Sequence, residues 1–186
     1  MTELDGVRLA RHGQTNDNLE PMRFQGFSDT PLNETGRAQA SELAERVADG
    51  EPIASLWSSD LSRARETADT VGARIGLAPT LDARLREANR GDWEGRLFVE
   101  IEREQPERYA AWRRAGAEFR FPGGESLRQQ QQRVTAACQE IHGTARLPAL
   151  VVCHGGSIRV MLCARDPRGL DAFQEFEIPN VAVIPL

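Results

Sequence analysis

The chain is 186 residues long, with 40% apolar and 27% charged residues and a formal net charge of −5. These values describe a folded globular chain and exclude a disordered one. A net negative charge also argues against coating nucleic acid by phosphate neutralisation. All 23 basic residues are arginine, so no lysine can act as a Schiff-base nucleophile or as the lysine of a P-loop. No apolar run reaches the ~18 residues of a membrane span. The acidic opening Met1-Thr2-Glu3-Leu4-Asp5 lacks the basic and then apolar pattern of a signal peptide. A cytoplasmic protein with no membrane or nucleic-acid partner is therefore expected. Cys138, Cys153 and Cys163 form neither a disulfide framework nor a C-x-x-C pair, and with His12, His142 and His154 as the only histidines no metal site is expected.

The length suits one domain, residues 1–186, with a helical insertion near 97–125. Val7 to Ala10 is a short buried strand that enters a loop rich in Gly, Asn, Asp and Pro, running to about Asn33. Ala40, Leu43, Ala44, Val47 and Ala48 follow helical spacing from Glu34. Ile53 to Trp57 is a second strand. Asp60 is positioned to cap a helix whose stripe is Leu61, Ala64, Ala68, Val71 and Ile75. Pro79 to Leu85 is extended, and residues 97–115 are helical with a break near Pro106. After the turn Pro122-Gly123-Gly124, a helix from Glu125 to about His142 carries Leu127, Val134, Cys138 and Ile141. Ala149 to Cys153 is continuously apolar, as a central strand should be. It breaks at Gly155-Gly156 into a further helix. A short helix at Gly169 to Phe173 precedes a last strand within Asn180 to Ile184. Strands alternating with helices predict an α/β fold, a three-layer α/β/α sandwich on a mostly parallel sheet. In such sheets ligands bind beyond the carboxyl ends of the strands.

Two of those ends carry histidine, in Arg11-His12-Gly13 and in Cys153-His154-Gly155-Gly156. A third, Ser58-Ser59-Asp60, leads within a turn to Arg63. A lone histidine after a strand is usually structural, and a helical arginine is usually a solvated charge. Their joint placement at one sheet edge defines a cationic pocket suited to an oxyanion. Arginine offers forked donors, the glycines permit close backbone approach, and the helix that follows directs its N-terminus at the site.

These residues resemble the histidine phosphatase superfamily, also called the phosphoglycerate mutase-like family, over nearly the whole chain. Arg11-His12-Gly13-Gln14-Thr15 with Asn18 resembles its opening motif, continued by Gln25-Gly26, Asp29-Thr30-Pro31-Leu32 and Gly36-Arg37-Ala38-Gln39-Ala40. Ser59 to Thr67, Leu85-Arg86-Glu87 with Gly91-Asp92-Trp93-Glu94-Gly95, Pro122 to Ser126, and His154-Gly155-Gly156 complete the set in family order. The resemblance implies a phosphoglycerate mutase-like fold and a His12 nucleophile that is phosphorylated and then released by water. It also implies that Arg11, Arg63 and His154 bind the phosphoryl group, with Asn18, Gln25, Gly26 and Gly155 in the binding set. Glu87 is implied as proton donor to the leaving alcohol, a role that requires it to be protonated part of the time. No cofactor is implied, since arginines supply the charge. Glu125, Phe24, Trp93, Tyr109, Trp112 and Phe119 are candidates for the mouth, with core packing the plainer reading for Trp112.

Cys153 to Arg159 also satisfies the C-x5-R spacing of cysteine-dependent phosphatases. In a chain this rich in arginine such a match arises by chance, and it would leave Arg11, His12, Arg63 and Glu87 idle. The expected function is hydrolysis of small phosphomonoesters. Phosphoglycerate-like acids, sugar phosphates and α-ribazole phosphate are substrate candidates. A phosphoglycerate mutase is the alternative, and a non-catalytic phosphate-binding module a third. Against a mutase, the chain reads Glu87-Ala88-Asn89-Arg90-Gly91 where the family's mutases read Glu-Arg-His-Tyr-Gly, and it carries no polar tail after Leu186; the pair Arg113-Arg114 is its one mutase-like feature. Nothing in the sequence marks an oligomer face.

Overall fold

The structure is a computed structural model that describes residues 4–186; residues 1–3, which open the acidic N-terminal stretch, lie outside the described residues. Five strands form one sheet: β1 (Val7–Arg11), β2 (Ser55–Ser58), β3 (Thr80–Leu81), β4 (Ala149–Cys153) and β5 (Val183–Pro185), in the order β3-β2-β4-β1-β5. All pairings are parallel except β1 with β5, which closes one edge antiparallel. The central strand β4 is buried at all five positions, which is why its sequence is continuously apolar. Its side chains divide with the two-residue period of a strand. Leu150 and Val152 pack with Leu43, Ala64, Ala68 and Val71 on one face, whereas Ala149, Val151 and Cys153 pack with Val134, Cys138, Ile141 and Ile158 on the other.

The first face is covered by α1 (Glu34–Ala48) and α2 (Ser62–Ile75), and the second by α5 (Leu127–Thr144) and α6 (Gly155–Cys163). Between β3 and α5 lie α3 (Phe98–Glu104) and α4 (Pro106–Arg114), split at Pro106, whose missing N–H is tolerated at a helix start. These helices pack an aromatic cluster of Phe24, Trp93, Phe98, Trp112, Phe119 and Phe121.

Several local expectations need correction. Asp60 does not cap α2: it is paired with Arg86 at 2.5–2.7 Å, and the first N–H of α2, on Ser62, donates instead to Asp29 Oδ1 at 2.7 Å. Residues 79–85 hold only the two-residue β3 and a 3-10 turn at Ala83–Leu85, and the segment Gly169–Glu175 is also 3-10. The last strand sits at Val183–Pro185, because residues 178–182 are engaged elsewhere. Arg11 N–H donates to Ala182 O at 3.0 Å, Val181 N–H to Arg11 O at 3.1 Å, Arg11 Nη1 to Ile178 O at 2.6 Å, and Asn180 Nδ2 to His12 O at 2.9 Å.

Candidate active site

Sheet register assembles the site. Arg11 lies opposite Cys153, and Ser58 opposite Val152, so β1, β4 and β2 end side by side. The ladder continues one step beyond each strand: His12 N–H donates to Cys153 O and Ser59 N–H to Val152 O, both at 3.0 Å. His12 and His154 thus leave neighbouring strands at one level, with ring centroids 5.1 Å apart and the planes inclined by 62°.

The loop after His12 is held by close backbone contact. A Cβ on Gly13 would stand 2.9 Å from Gly36 C, and one on Gly36 would stand 2.8 Å from Gln14 N. Only glycine lets α1 approach the loop this closely. Gly13 N–H donates to Thr67 Oγ1 of α2 at 3.2 Å. His12 is buried, and its Nδ1 lies 2.6 Å from Gly13 O. A carbonyl can only accept, so Nδ1 carries the proton and Nε2 is left with a free lone pair. Burial, reinforced by His154, Arg63 and Arg11, holds the His12 imidazole well below its usual pKa, so the ring is neutral.

His154 is fully buried, and its Nε2 lies 2.9 Å from Ser59 Oγ. Ser59 Oγ accepts from Leu61 N–H at 3.4 Å, so its own proton is available to Nε2. Nδ1 of His154, without a protein partner, is then an N–H donor. Burial, with Arg63, Arg133, Arg11 and Arg86 nearby, keeps this ring neutral as well.

Arg63 is wholly buried. Its Nη1 and Nη2 donate to Ser28 O and Gly26 O at 2.8 Å, which leaves Nε unpartnered. Arg11 likewise keeps an unpartnered Nε behind its bond to Ile178. Burial pulls each guanidinium pKa down to about 10, so both are charged at neutral pH. Gly26 therefore acts through its carbonyl on Arg63. Its φ of +138° and the 2.9 Å between a would-be Cβ and Ala88 O exclude other residues. Asn18 and Gln25 bond to each other at 3.4 Å, and Gln25 Nε2 donates to Thr15 Oγ1.

Glu87 departs from expectation. Burial alone would raise its carboxyl pKa. Arg90 and hydrogen bonds from Ala88 N–H (2.8 Å), Gly156 N–H (2.8 Å) and Gln130 Nε2 (2.9 Å) outweigh burial and hold the pKa at about 2. In the unliganded site Glu87 is ionised, not partly protonated. It also occupies the Gly156 N–H, one of the first-turn donors of α6 expected to face an anion.

His12, Arg11, Asn18, Gln25, Glu87 and Gly155 converge on one cavity of about 200 Å³, whereas Arg63, His154 and Gly26 do not line it: Arg63 and His154 are fully buried, the His154 ring packed 5.1 Å from that of His12. Arg90, Arg159, Phe24 and Phe98 also line the cavity, and sequence reasoning did not place Arg90, Arg159 or Phe98 there. Signals existed: Arg90 follows Glu87 by three residues, and Arg159 ends the discounted cysteine motif. Cys153 itself is buried with its thiol pKa pushed well upward by desolvation, so it is not a thiolate. Of the proposed mouth residues only Phe24 lines the cavity. Trp93 and Trp112 are core, Tyr109 and Phe119 pack against that core, and Glu125 is tied to Arg133 at 2.5 Å. Arg113 stacks on Trp112, while Arg114 lines a separate recess of about 540 Å³ that holds no histidine.

A neutral, oriented histidine facing buried guanidinium groups at the carboxyl edge of a parallel sheet defines an enzyme that handles phosphoryl groups. The chain belongs to the histidine phosphatase superfamily (branch 1), whose model matches residues 7–186, and it is a histidine-dependent phosphatase. It is 40% identical over 158 residues to phosphoglycerate mutase-like protein 4 of Arabidopsis thaliana, covering 82% of this chain and 67% of that protein. It is 37% identical over 171 residues to glucosyl-3-phosphoglycerate phosphatase of Mycobacterium tuberculosis, covering 84% and 73%. The solved mycobacterial glucosyl-3-phosphoglycerate phosphatase in complex with VO3 superposes with a TM-score of 0.85 at 32% identity, over 95% of this chain and 90% of that one.

Proposed function

We propose that the chain hydrolyses small phosphomonoesters through a phosphohistidine formed on His12. The observation that carries this reading is the tether from Nδ1 to Gly13 O, which leaves Nε2 of a neutral imidazole free in a cavity walled by Arg11. In the first step Nε2 attacks phosphorus, the bond from phosphorus to the ester oxygen breaks, and the leaving alcohol takes up a proton. In the second step water attacks the phosphohistidine, releasing orthophosphate and restoring His12. Arg11 Nε, Arg63 Nε and His154 Nδ1–H are buried donors without protein partners, and on this reading they bind the phosphoryl oxygens as charge develops on them. Asn18, Gln25 and the Gly155 backbone complete the phosphoryl pocket.

The proton for the leaving oxygen needs a source, because Glu87 is ionised in the empty site. A substrate monoanion supplies one, since the second ionisation of a phosphate ester falls near pH ~6. Glu87 then accepts that proton from the phosphoryl group and returns it to the departing alkoxide. Dianionic phosphate beside the carboxylate favours the protonated form.

The relatives include phosphatases and mutase-like proteins, and a single assay separates the two activities. The protein is incubated with 3-phosphoglycerate, with and without 2,3-bisphosphoglycerate, and both isomerisation and free phosphate are followed. Phosphate release from several monoesters without isomerisation is expected. Rapid, bisphosphoglycerate-primed isomerisation with little phosphate release would refute the hydrolase reading. A reducing, cytoplasmic setting fits three unpaired buried cysteines. Among the described residues no helix is long and apolar enough to cross a membrane.

A further inference from the structure

The backbone on both sides of the His12 side chain is held by other segments. His12 N–H donates to Cys153 O at the end of β4 at 3.0 Å, and His12 O accepts from Asn180 Nδ2 at 2.9 Å. Gly13 N–H donates to Thr67 Oγ1 at 3.2 Å, a hydroxyl whose own proton goes to Arg63 O at 2.7 Å. His12 O and Gly13 N–H belong to one planar peptide unit. Asn180 and Thr67 therefore pin that plane from opposite sides. The next carbonyl along the chain, Gly13 O, is the one that holds the imidazole through Nδ1. A peptide free to rock would carry this carbonyl with it, and a glycine joint offers little resistance to rocking.

An asparagine in a turn usually bonds to its own backbone. Asn180 instead reaches across to the end of β1, and its turn is built to aim it there. Ala182 N–H donates to Pro179 O at 3.2 Å, so Asn180 and Val181 are the central residues of a four-residue turn. Pro179 has its φ fixed by the ring. Val181 has a φ of +55°, in the left-handed region where glycine or asparagine is usual and a β-branched residue is an outlier. Such a conformation persists only where the surroundings over-determine it. Val181 is buried, its N–H donates to Arg11 O at 3.1 Å, and its carbonyl accepts from Arg46 Nη2 at 2.5 Å. Arg11 N–H donates in turn to Ala182 O at 3.0 Å. The turn thus stands rigidly against β1. Asn180 does not line the catalytic cavity, so it reaches the chemistry only through the groups it holds.

We propose that Asn180 is a positioning residue: by donating to the His12 carbonyl it fixes the His12–Gly13 peptide, and with it the imidazole tautomer and the line along which Nε2 meets phosphorus. This role presupposes that His12 is the nucleophile.

Asn180→Ala removes the donor, and Asn180→Asp keeps the shape of the side chain while setting an acceptor against the carbonyl. In both, kcat for an alkyl phosphate should fall ~10–100-fold, the scale for loosening an attack geometry by up to about 1 Å, with KM changed by no more than about twofold. Two inhibitors separate the pose of the nucleophile from the phosphate pocket. Vanadate takes a fifth ligand from the nucleophile and mimics the transition state, so its inhibition should weaken in step with kcat. Orthophosphate needs only the phosphate donors, so its inhibition should hold. The chain has three histidines, and nitrogen NMR of labelled imidazoles reads their tautomers without turnover, the His12 signals being those lost in His12→Ala. The native protein should show His12 protonated on Nδ1, and the variants should show a share protonated on Nε2.

Unchanged kcat in variants that fold would overturn the proposal, and so would an unchanged His12 tautomer. Equal weakening of vanadate and orthophosphate would also overturn it, since Asn180 would then serve the pocket as a whole. Turnover that survives His12→Ala would sink the nucleophile assignment instead, and the nitrogen spectra would still decide whether Asn180 holds the ring. If neither variant folds, Asn180→Ser, a turn-compatible residue too short to reach His12 O, carries the test.

Discussion

Glu87→Gln preserves shape and removes a charge, and the structure sets the size of its effect. The carboxylate takes Ala88 N–H and Gln130 Nε2 on Oε1 and Gly156 N–H on Oε2, so an amide NH2 at either position confronts another donor. Folding moves the Glu87 pKa from an ordinary 4.5 to about 2. At 1.36 kcal/mol per unit that amounts to about 3 kcal/mol of stabilisation. The folded pKa lies below the unfolded one, so this contribution is complete above the unfolded value near 4.5 and is lost as pH falls toward 2. Urea unfolding of the two proteins at a series of pH values reads it directly. The variant should be about 2–3 kcal/mol less stable at neutral pH, with the gap narrowing steadily below about pH 4.5. Turnover supplies a second readout. An alkyl phosphate should lose ~10²–10⁴ in rate, whereas p-nitrophenyl phosphate, whose phenolate departs unaided, should lose far less. A stability gap that stays constant from neutral pH to about pH 3, together with equal losses on both substrates, would refute the reasoning.

Other outcomes follow from the same geometry. His12→Ala should abolish turnover and acid-labile labelling by a phosphorylated substrate, while Cys153→Ser should lower kcat by no more than a few-fold, as checked by steady-state assay and phosphohistidine trapping. Because His12 stays neutral well below its usual pKa, kcat/KM for an alkyl phosphate should rise as pH falls through ~6 and persist into the acid range; a loss of activity near pH 6.5 would show that His12 titrates normally. Gly156→Ala would place a Cβ 2.8 Å from Glu87 Cδ and should impair alkyl phosphates in the manner of Glu87→Gln, which leaving-group comparison would reveal. Arg63→Ala should slow turnover by ~10²–10³, the scale for removing one preorganised donor, and a loss confined to KM would contradict a role in the transition state. Exhaustive chelation should leave phosphate release intact, and recovery only on adding Mg²⁺ would refute catalysis by arginine charge.

The strands and helices that carry the site were legible because their signals are local. The apolar run of β4 and the helical stripe of α2 reflect burial on one or both faces. The paired histidines were legible because each ends a strand. What could not be read depends on contacts between distant segments. The cap of α2 comes from Asp29, 33 residues away. Arg90 and Ala88, which help hold Glu87 ionised, are its neighbours in sequence, but the other two groups that do so, Gly156 and Gln130, lie 69 and 43 residues on. Nothing local in the sequence marks Arg90 as buried, and only the placement of Phe24 and Phe121 around it reveals a buried cation. The aromatic residues offered no periodic signal to separate mouth from core, so Trp93 was ambiguous until its burial was seen.

The bonds from residues 178–182 to Arg11 and His12 have a consequence for the timing of synthesis. Asn180 reaches His12 across 168 residues of chain. At ~5–20 residues per second, roughly 10–30 s separate translation of His12 from translation of the residue that fixes its carbonyl. A nascent chain therefore exposes the Arg11-His12 loop unlatched throughout that interval. Polypeptides cut short before this segment would carry Arg11, His12, Arg63, Glu87 and His154 and still lack the latch, so such products should be inert toward the phosphate esters around them.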